Sequence, residues 1–382
     1  MGEGGRIDRF SPSLVVALRR CGLATYWRRI QFKGQSDAPS NPVARLGNAA
    51  HRVLEWVANE APELANDPGV EARIRGRWIG ESAAEEAASH RHVVEASYGP
   101  SNRWPRYNTI EESLVVDGAA LATELADLSS DCRWAERKGS TSAGDLYGSI
   151  DLVIVRDDGT ATVIDHKAGT VASEDVGPDG RYRVQVLLYS AIVRDLGLTP
   201  SAAQIRPLGR SLIDIMVNDA VIDEAYQSAK SDVARYNTAL EQGAVFEMAR
   251  PSAYACQWCE FLLRCPAARS NQGPGMEELR SLEGTILQLQ DQGGGRIALK
   301  LAVVDQPSGV VISGLSTAQA PAAAAFSVGD VIRVVGLSQS GATSYRAGGG
   351  RFDAALVSTL AESGEQDGST PEDALTWRLD GE

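Results

Sequence analysis

With 382 residues the chain is long enough for two or three domains, and 43% hydrophobic residues is the content of a globular protein. No run of about 18 apolar residues occurs, which excludes a predicted membrane helix. The net charge of −13 excludes a uniformly basic nucleic-acid binder.

The charge is unevenly spread. Residues 361–382 carry seven acids and one arginine, nearly half the imbalance, and read as a disordered acidic tail. Basic clusters lie towards the N-terminus: Arg19 and Arg20; Arg28, Arg29 and Lys33; Arg73, Arg75 and Arg77. Each serves equally as a solvated helix face or as a contact for an anion. The first six residues lack the pattern of a signal peptide, so a cytoplasmic location is predicted. Five cysteines in a reducing compartment point to metal binding over disulfides.

In chain order, Ser11-Pro12 opens a helix with Leu14, Val15 and Leu18 on its apolar face. Gly22 is its expected C-cap, just past Cys21. Asn41-Pro42 opens a second helix, in which Leu46, Ala49, Ala50, Val53, Leu54 and Val57 recur at helical spacing. His51 lies beside that stripe, where a lone histidine is ordinarily a satisfied core-edge residue. Residues 81–96 read as a helix. His90 and His92, two apart within it, do not share a face and read as surface residues. Residues 98–107 form a loop. Residues 109–117 and 118–128 suggest two strands, and Cys132 stands alone.

Two apolar runs then flank Asp157-Asp158-Gly159, the signature of a β-hairpin. Folding about Asp158 brings Asp151 opposite Asp165 or within one residue of it. Side chains two apart on a strand share a face, so Lys167 joins Asp165. Two acids and a lysine on a half-buried face are costly unless they bind something, and a hard divalent cation would offset that cost. An ordinary hairpin with a surface salt bridge is the alternative. A loop over 175–181 leads to a helix over 184–196, with Gln185 and Tyr189 four residues apart on one face. A strand over 211–217 and a long helix over 219–242 follow.

Cys256-Gln257-Trp258-Cys259, with Cys265-Pro266 beyond, offers three thiols suited to one metal or cluster. The fourth ligand must come from elsewhere, and Cys21 is the candidate; zinc and iron–sulfur both suit four cysteines. After a linker at 272–275, strands over 282–290, 296–304, 310–315, 331–337 and 352–357 predict a small all-β barrel, OB-like. The stretch 321–325 reads as a flexible loop. Exposed aromatics for base stacking are few (Phe326, Tyr345, Phe352), which leaves single-strand binding and protein docking both open.

The set Gly148-x-x-Asp151, Asp165-His166-Lys167 and Gln185-x-x-x-Tyr189 resembles the PD-(D/E)xK nuclease superfamily in its RecB-type branch. That resemblance covers the core only, and implies an α/β restriction-endonuclease-like fold over residues 1–272; the barrel over 276–360 and the tail over 361–382 follow it and carry no motif of the family. The resemblance implies metal-dependent hydrolysis of DNA phosphodiesters, by an exonuclease on single strands or DNA ends, in repair, recombination or defence. His51, Asp151, Asp165 and the His166 carbonyl would bind Mg²⁺ or Mn²⁺. Asp151, Asp165 and Lys167 would be catalytic, with Lys167 positioning or deprotonating the attacking water. Gln185 and Tyr189 would hold the substrate strand. Cys21, Cys256, Cys259 and Cys265 would carry a structural 4Fe-4S cluster, as in helicase–nuclease subunits and CRISPR-adaptation exonucleases. DNA and a helicase or defence-system protein are the implied partners, with no membrane. Two rival functions are a non-catalytic DNA-binding scaffold within such a complex and a redox-sensing regulator built on the cluster.

Overall fold

A computed structural model of the chain describes residues 5–33, 40–88, 95, 99–256, 259–269, 281–303, 306–317, 325–335, 337–347 and 356–360. The expectations for His90, His92, the linker 272–275, loop residues 321–324, Phe352 and the acidic tail lie outside these residues. The chain divides into two compact units. The first is Met1–Tyr26, Ser40–Ser89 and Tyr98–Met248; the second holds the described residues of Trp27–Pro39, His90–Ser97 and Ala249–Glu382. No described helix is long and apolar enough to cross a membrane.

Sheet and helices alternate in layers in the first unit. Five strands, β1 (Arg133–Ser140), β2 (Tyr147–Val155), β3 (Thr160–Lys167), β4 (Thr199–Pro207) and β5 (Ile213–Ile215), lie in that order across the sheet. Pairing is antiparallel except between β3 and β4, which run parallel. Parallel neighbours need a crossover, and helix α8 (Arg181–Asp195), which lies between β3 and β4 in the chain, supplies it. Successive residues of β3 serve opposite cores. Val163 packs with α1 (Pro12–Arg20), α8 and α9 (Asp219–Glu241). Ile164 packs with α3 (Pro42–Asn59), the short α4 (Ala61–Ala65), α5 (Val70–Ala87) and α6 (Tyr107–Leu125). Burial on both faces is why β3 reads as a continuous apolar run.

The cap logic for the first two long helices holds. The Ser11 side chain accepts from the Leu14 N–H, and Asn41 from the Val43 N–H. Gly22 is not a cap: α1 ends at an extended Cys21, and Gly22 opens the short helix α2 (Gly22–Tyr26). A Cβ on Gly22 would lie 2.8 Å from Met248 Cβ, so close packing calls for glycine there.

Residues 109–128 are the main correction. They are not two strands; 107–125 form the single helix α6. Ile110, Leu114, Leu121 and Leu125 are buried at helical spacing against α3 and α5. Gly118, expected to open the second of those strands, is a contact point where a Cβ would stand 3.1 Å from Ile74 Cδ1. The helix expected from residue 81 begins at Val70 instead, because Ile74, Trp78 and Ser82 form its buried stripe. Strands β1 and β4 lie outside the expected elements; the loop expected over 175–181 is shorter, since one helical turn, α7 (Ser173–Val176), runs into its start and α8 begins at Arg181.

In the second unit, two short helices, α10 (Ala253–Cys256) and α11 (Pro266–Arg269), frame the cysteine segment. The sheet that follows has seven strands, not five: β6 (Leu282–Gly293), β7 (Arg296–Val303), β8 (Gln306–Ser316), β9 (Val331–Val335), β10 (Leu337–Gly341), β11 (Ser344–Ala347) and β12 (Leu356–Leu360). Their order is β10-β11-β8-β7-β6-β9-β12, with β8 and β11 parallel. Among the described residues the edges β10 and β12 do not pair with each other, so the sheet is curled and open. The expected boundary at residue 272 falls inside this unit. Arg333 of β9, 2% exposed, donates to the Leu263 carbonyl at 3.2 Å and ties the sheet to the cysteine segment. A buried guanidinium without such acceptors would be strongly destabilising, so the two pieces fold together.

Candidate metal centre

The hairpin carries the site. Gly159, at φ +79, makes the β2–β3 turn, and the register runs Val155–Ala161 to Leu152–Ile164. Continued by one residue, that register sets Asp151 against Asp165. The ladder stops there because Asp151 Oδ2 takes the His166 N–H itself, at 2.8 Å.

Glu136, on the other side of Asp151, is the residue that sequence reasoning missed. In the β1–β2 register Ala135 pairs with Leu152 and Arg137 with Ile150, so Glu136 stands beside Asp151 in a gap in the ladder. Glu136 has φ +47, rare for a residue with a Cβ and costing on the order of 1 kcal/mol or more. Side-chain alternation breaks at the same place. Ile150 and Val153 belong to one core and Leu152 and Ile154 to the other, whereas strict alternation would group Ile150 with Leu152. The local kink frees Asp151 and Glu136 from the pleat. The signal that could have found Glu136 is Gly144, φ +70: a second hairpin folded near it pairs 136 with 151.

His51 reaches the same place from α3. Its Nδ1 is 3.3 Å from Asp151 Oδ2. One ligand atom from each of His51, Glu136 and Asp151 lies within 4.8 Å of the others. Burial, with the nearby Lys167 charge, lowers the His51 pKa and favours a neutral ring that can act as a ligand. Glu136 is itself held in place, its Oε2 accepting from the Ser149 hydroxyl at 2.8 Å.

Asp165 is fully buried and turned to Lys167, whose Nζ lies 2.8 Å from Oδ1 and 2.7 Å from Oδ2. Burial pushes both Asp151 and Asp165 up to about 6, against the pull of Lys167. Burial draws Lys167 down, but Asp165 and Asp151 outweigh it and leave its pKa raised, so it stays an ammonium. Three carboxylates against one ammonium leave an excess of negative charge. A divalent cation on the His51–Glu136–Asp151 donors is the natural complement, and two oxygen donors with one imidazole suit Mg²⁺ or Mn²⁺.

Helix α8 covers the lysine. Gln185 Oε1 is 3.4 Å from Lys167 Nζ, and Gln185 Nε2 donates to the Tyr189 hydroxyl at 3.1 Å. Tyr189 is buried, and a Cβ on Gly148 would stand 3.1 Å from its ring. The glycine of Gly148-x-x-Asp151 is therefore needed for the close approach of α8 to β2. The His166 ring is buried, 6% exposed. Its Nε2 has no hydrogen-bond partner among the described residues, and burial pushes its pKa down to about 3, so it is neutral.

Of the cysteines, Cys256 and Cys265 are buried and Cys259 is half-buried, all in the second unit. The Cys259 N–H donates to the Cys256 carbonyl at 2.9 Å, the tight turn expected of C-x2-C, and Pro266 opens α11 directly after Cys265. Cys21 belongs to the first unit. Cys132 is half-buried and accepts from the Ser129 hydroxyl at 3.3 Å.

An imidazole, carboxylates and a lysine gathered where a mixed sheet meets α3 and α8 define an α/β protein with a candidate divalent-metal site. A family model of the PD-(D/E)XK nuclease superfamily matches residues 9–266, more than half of the chain. The chain belongs to that superfamily, whose members are mostly nucleases dependent on divalent metal ions. No curated protein matches it.

Proposed function

We propose that the protein is a metal-dependent deoxyribonuclease of the RecB-type branch, hydrolysing phosphodiesters at single-stranded or free DNA ends. The observation that carries this reading is the meeting of His51, Glu136 and Asp151 beside the Asp165–Lys167 pair. Mg²⁺ or Mn²⁺ is the proposed cofactor, with His51, Glu136 and Asp151 as its donors. Asp165 and the His166 carbonyl belong to the same proposal as further ligands. When bound, the ion would stabilise charge on the phosphodiester and lower the pKa of a water molecule.

The protein's own groups divide the remaining work. Lys167, kept charged by Asp165, orients the attacking water and faces the negative charge that develops on the phosphate. Asp165 fixes the ammonium through both of its oxygens. Gln185 and Tyr189, linked to each other and to Lys167, are placed to hold the substrate strand. A scaffold that only bound DNA would have no use for a lysine held against a buried carboxylate.

A structural 4Fe-4S cluster on Cys21, Cys256, Cys259 and Cys265 forms part of the proposal, with zinc as its competitor. The buried thiols and the tight Cys256–Cys259 turn support it. An OB-like role in single-strand binding is proposed for the C-terminal sheet; its open, curled form with parallel β8 and β11 supports a partly open barrel.

End-labelled single- and double-stranded DNA incubated with the protein and Mn²⁺ or Mg²⁺ tests the activity. Cleavage should vanish with a chelator and in Lys167→Ala, while DNA binding persists. Wild-type cutting by Lys167→Ala under single-turnover conditions would remove the lysine from the mechanism.

A further inference from the structure

Tyr182 lies on the same stripe of α8 as Gln185 and Tyr189, three and seven residues before them. Its ring sits 4.9 Å from Lys167 Nζ, within the range of a cation–π contact. Among the described residues its hydroxyl takes no hydrogen-bond partner, so the ring is what Lys167 meets.

A second cation meets the same ring. The Arg181 guanidinium lies 4.4 Å from the same ring centroid. Arg181 Nε is 2.7 Å from Asp175 Oδ1, and its Nη2 donates to Oδ2 at 3.1 Å, a two-point pairing. Asp175 is 4% exposed, and its Oδ2 also accepts from the Ala172 N–H at 3.1 Å. A Cβ on Gly180 would come within 2.4 Å of the Asp175 backbone, so the chain closes tightly on itself just before Tyr182. The segment expected to be a plain loop is therefore a clamp for one aromatic ring.

Lys167 needs such a wall. Its four-carbon stem has many rotamers, and the Gln185 contact at 3.4 Å is long. We propose that Tyr182 is a positioning residue of the hydrolytic reaction, its clamped ring holding the Lys167 ammonium against Asp165. The proposal rests on the reading that Lys167 acts in hydrolysis.

The test uses the full-length protein with Mn²⁺, end-labelled DNA and single-turnover rates. Tyr182→Phe keeps the ring and should cut within about twofold of wild type. Tyr182→Leu should lose roughly 2- to 30-fold in rate, the span of a cation–π contact, with DNA affinity unchanged. Mono-, di- and trifluorophenylalanine at position 182 weaken the ring's negative face while barely changing its size, and rates should fall stepwise through the series. A structural role alone would not follow fluorine count. A flat series, full activity in Tyr182→Leu, or a loss confined to DNA affinity overturns the positioning role. Lys167→Ala separates the two levels. If it is inactive and the fluorine series is flat, only the role of Tyr182 fails; if it cuts normally, the reading that Lys167 acts in hydrolysis fails with it.

Discussion

Burying Asp151 in a site built for a cation should leave a measurable strain in the metal-free protein. Burial raises its pKa from 3.8 to about 6. A raised carboxylate pKa means that the folded state holds a proton which the unfolded chain has already released. The group's contribution to stability is therefore most favourable below about pH 4 and is lost as pH rises through about 6. With about 1.4 kcal/mol for each pH unit that separates the unfolded from the folded pKa, the full span is on the order of 3 kcal/mol, and roughly 1.4 kcal/mol of it lies between pH 5 and pH 7.5. Other groups oppose it: His166, pushed down to about 3, must lose stability on acidification. The raw pH curve therefore mixes signs, and the comparison with Asp151→Asn isolates the effect. Chelator-treated Asp151→Asn should gain about 1.4 kcal/mol relative to wild type on going from pH 5 to pH 7.5. That is roughly 3–6 °C in melting temperature for a unit of this size. Mn²⁺ at pH 7.5 should raise the wild-type melting temperature and leave the variant nearly unmoved. A stability difference independent of pH, or equal stabilisation of both proteins by Mn²⁺, would refute the claim that Asp151 is a desolvated cation ligand.

Glu136→Gln removes one charge from the proposed donor set without changing its size. Its Mn²⁺ affinity, measured by calorimetry, should fall by at least tenfold while the fold is retained. Cys256→Ser, Cys259→Ser, Cys265→Ser and Cys21→Ser should each give colourless, destabilised protein, and Cys132→Ser should behave as wild type. Iron and sulfide analysis of anaerobically purified protein decides this; zinc without sulfide would replace the cluster.

Much of the site was legible because local rules govern it. The Asp-Gly turn and the apolar runs around it set a register that sequence separation alone fixes, so Asp151, Asp165 and Lys167 could be brought together on paper. Four-residue spacing placed Gln185 with Tyr189, and the Ser11 and Asn41 caps announced α1 and α3, the latter carrying His51. Tertiary packing decided the rest. The stretch 107–125 has apolar residues compatible with strands, and only burial against α3 and α5 makes it a helix. Strand β1 has no alternating pattern, since Arg133-Trp134-Ala135-Glu136-Arg137-Lys138 lies at the sheet edge and bends at Glu136. The place of that glutamate depends on a positive φ and on a gap in the ladder, neither of which follows from residue type. The contact of Tyr182 with Lys167 likewise follows from how α8 lies against β3. A hairpin is a short-range object that its own residues determine, whereas a site shared by a helix, three strands and a second helix exists only once the chain has packed.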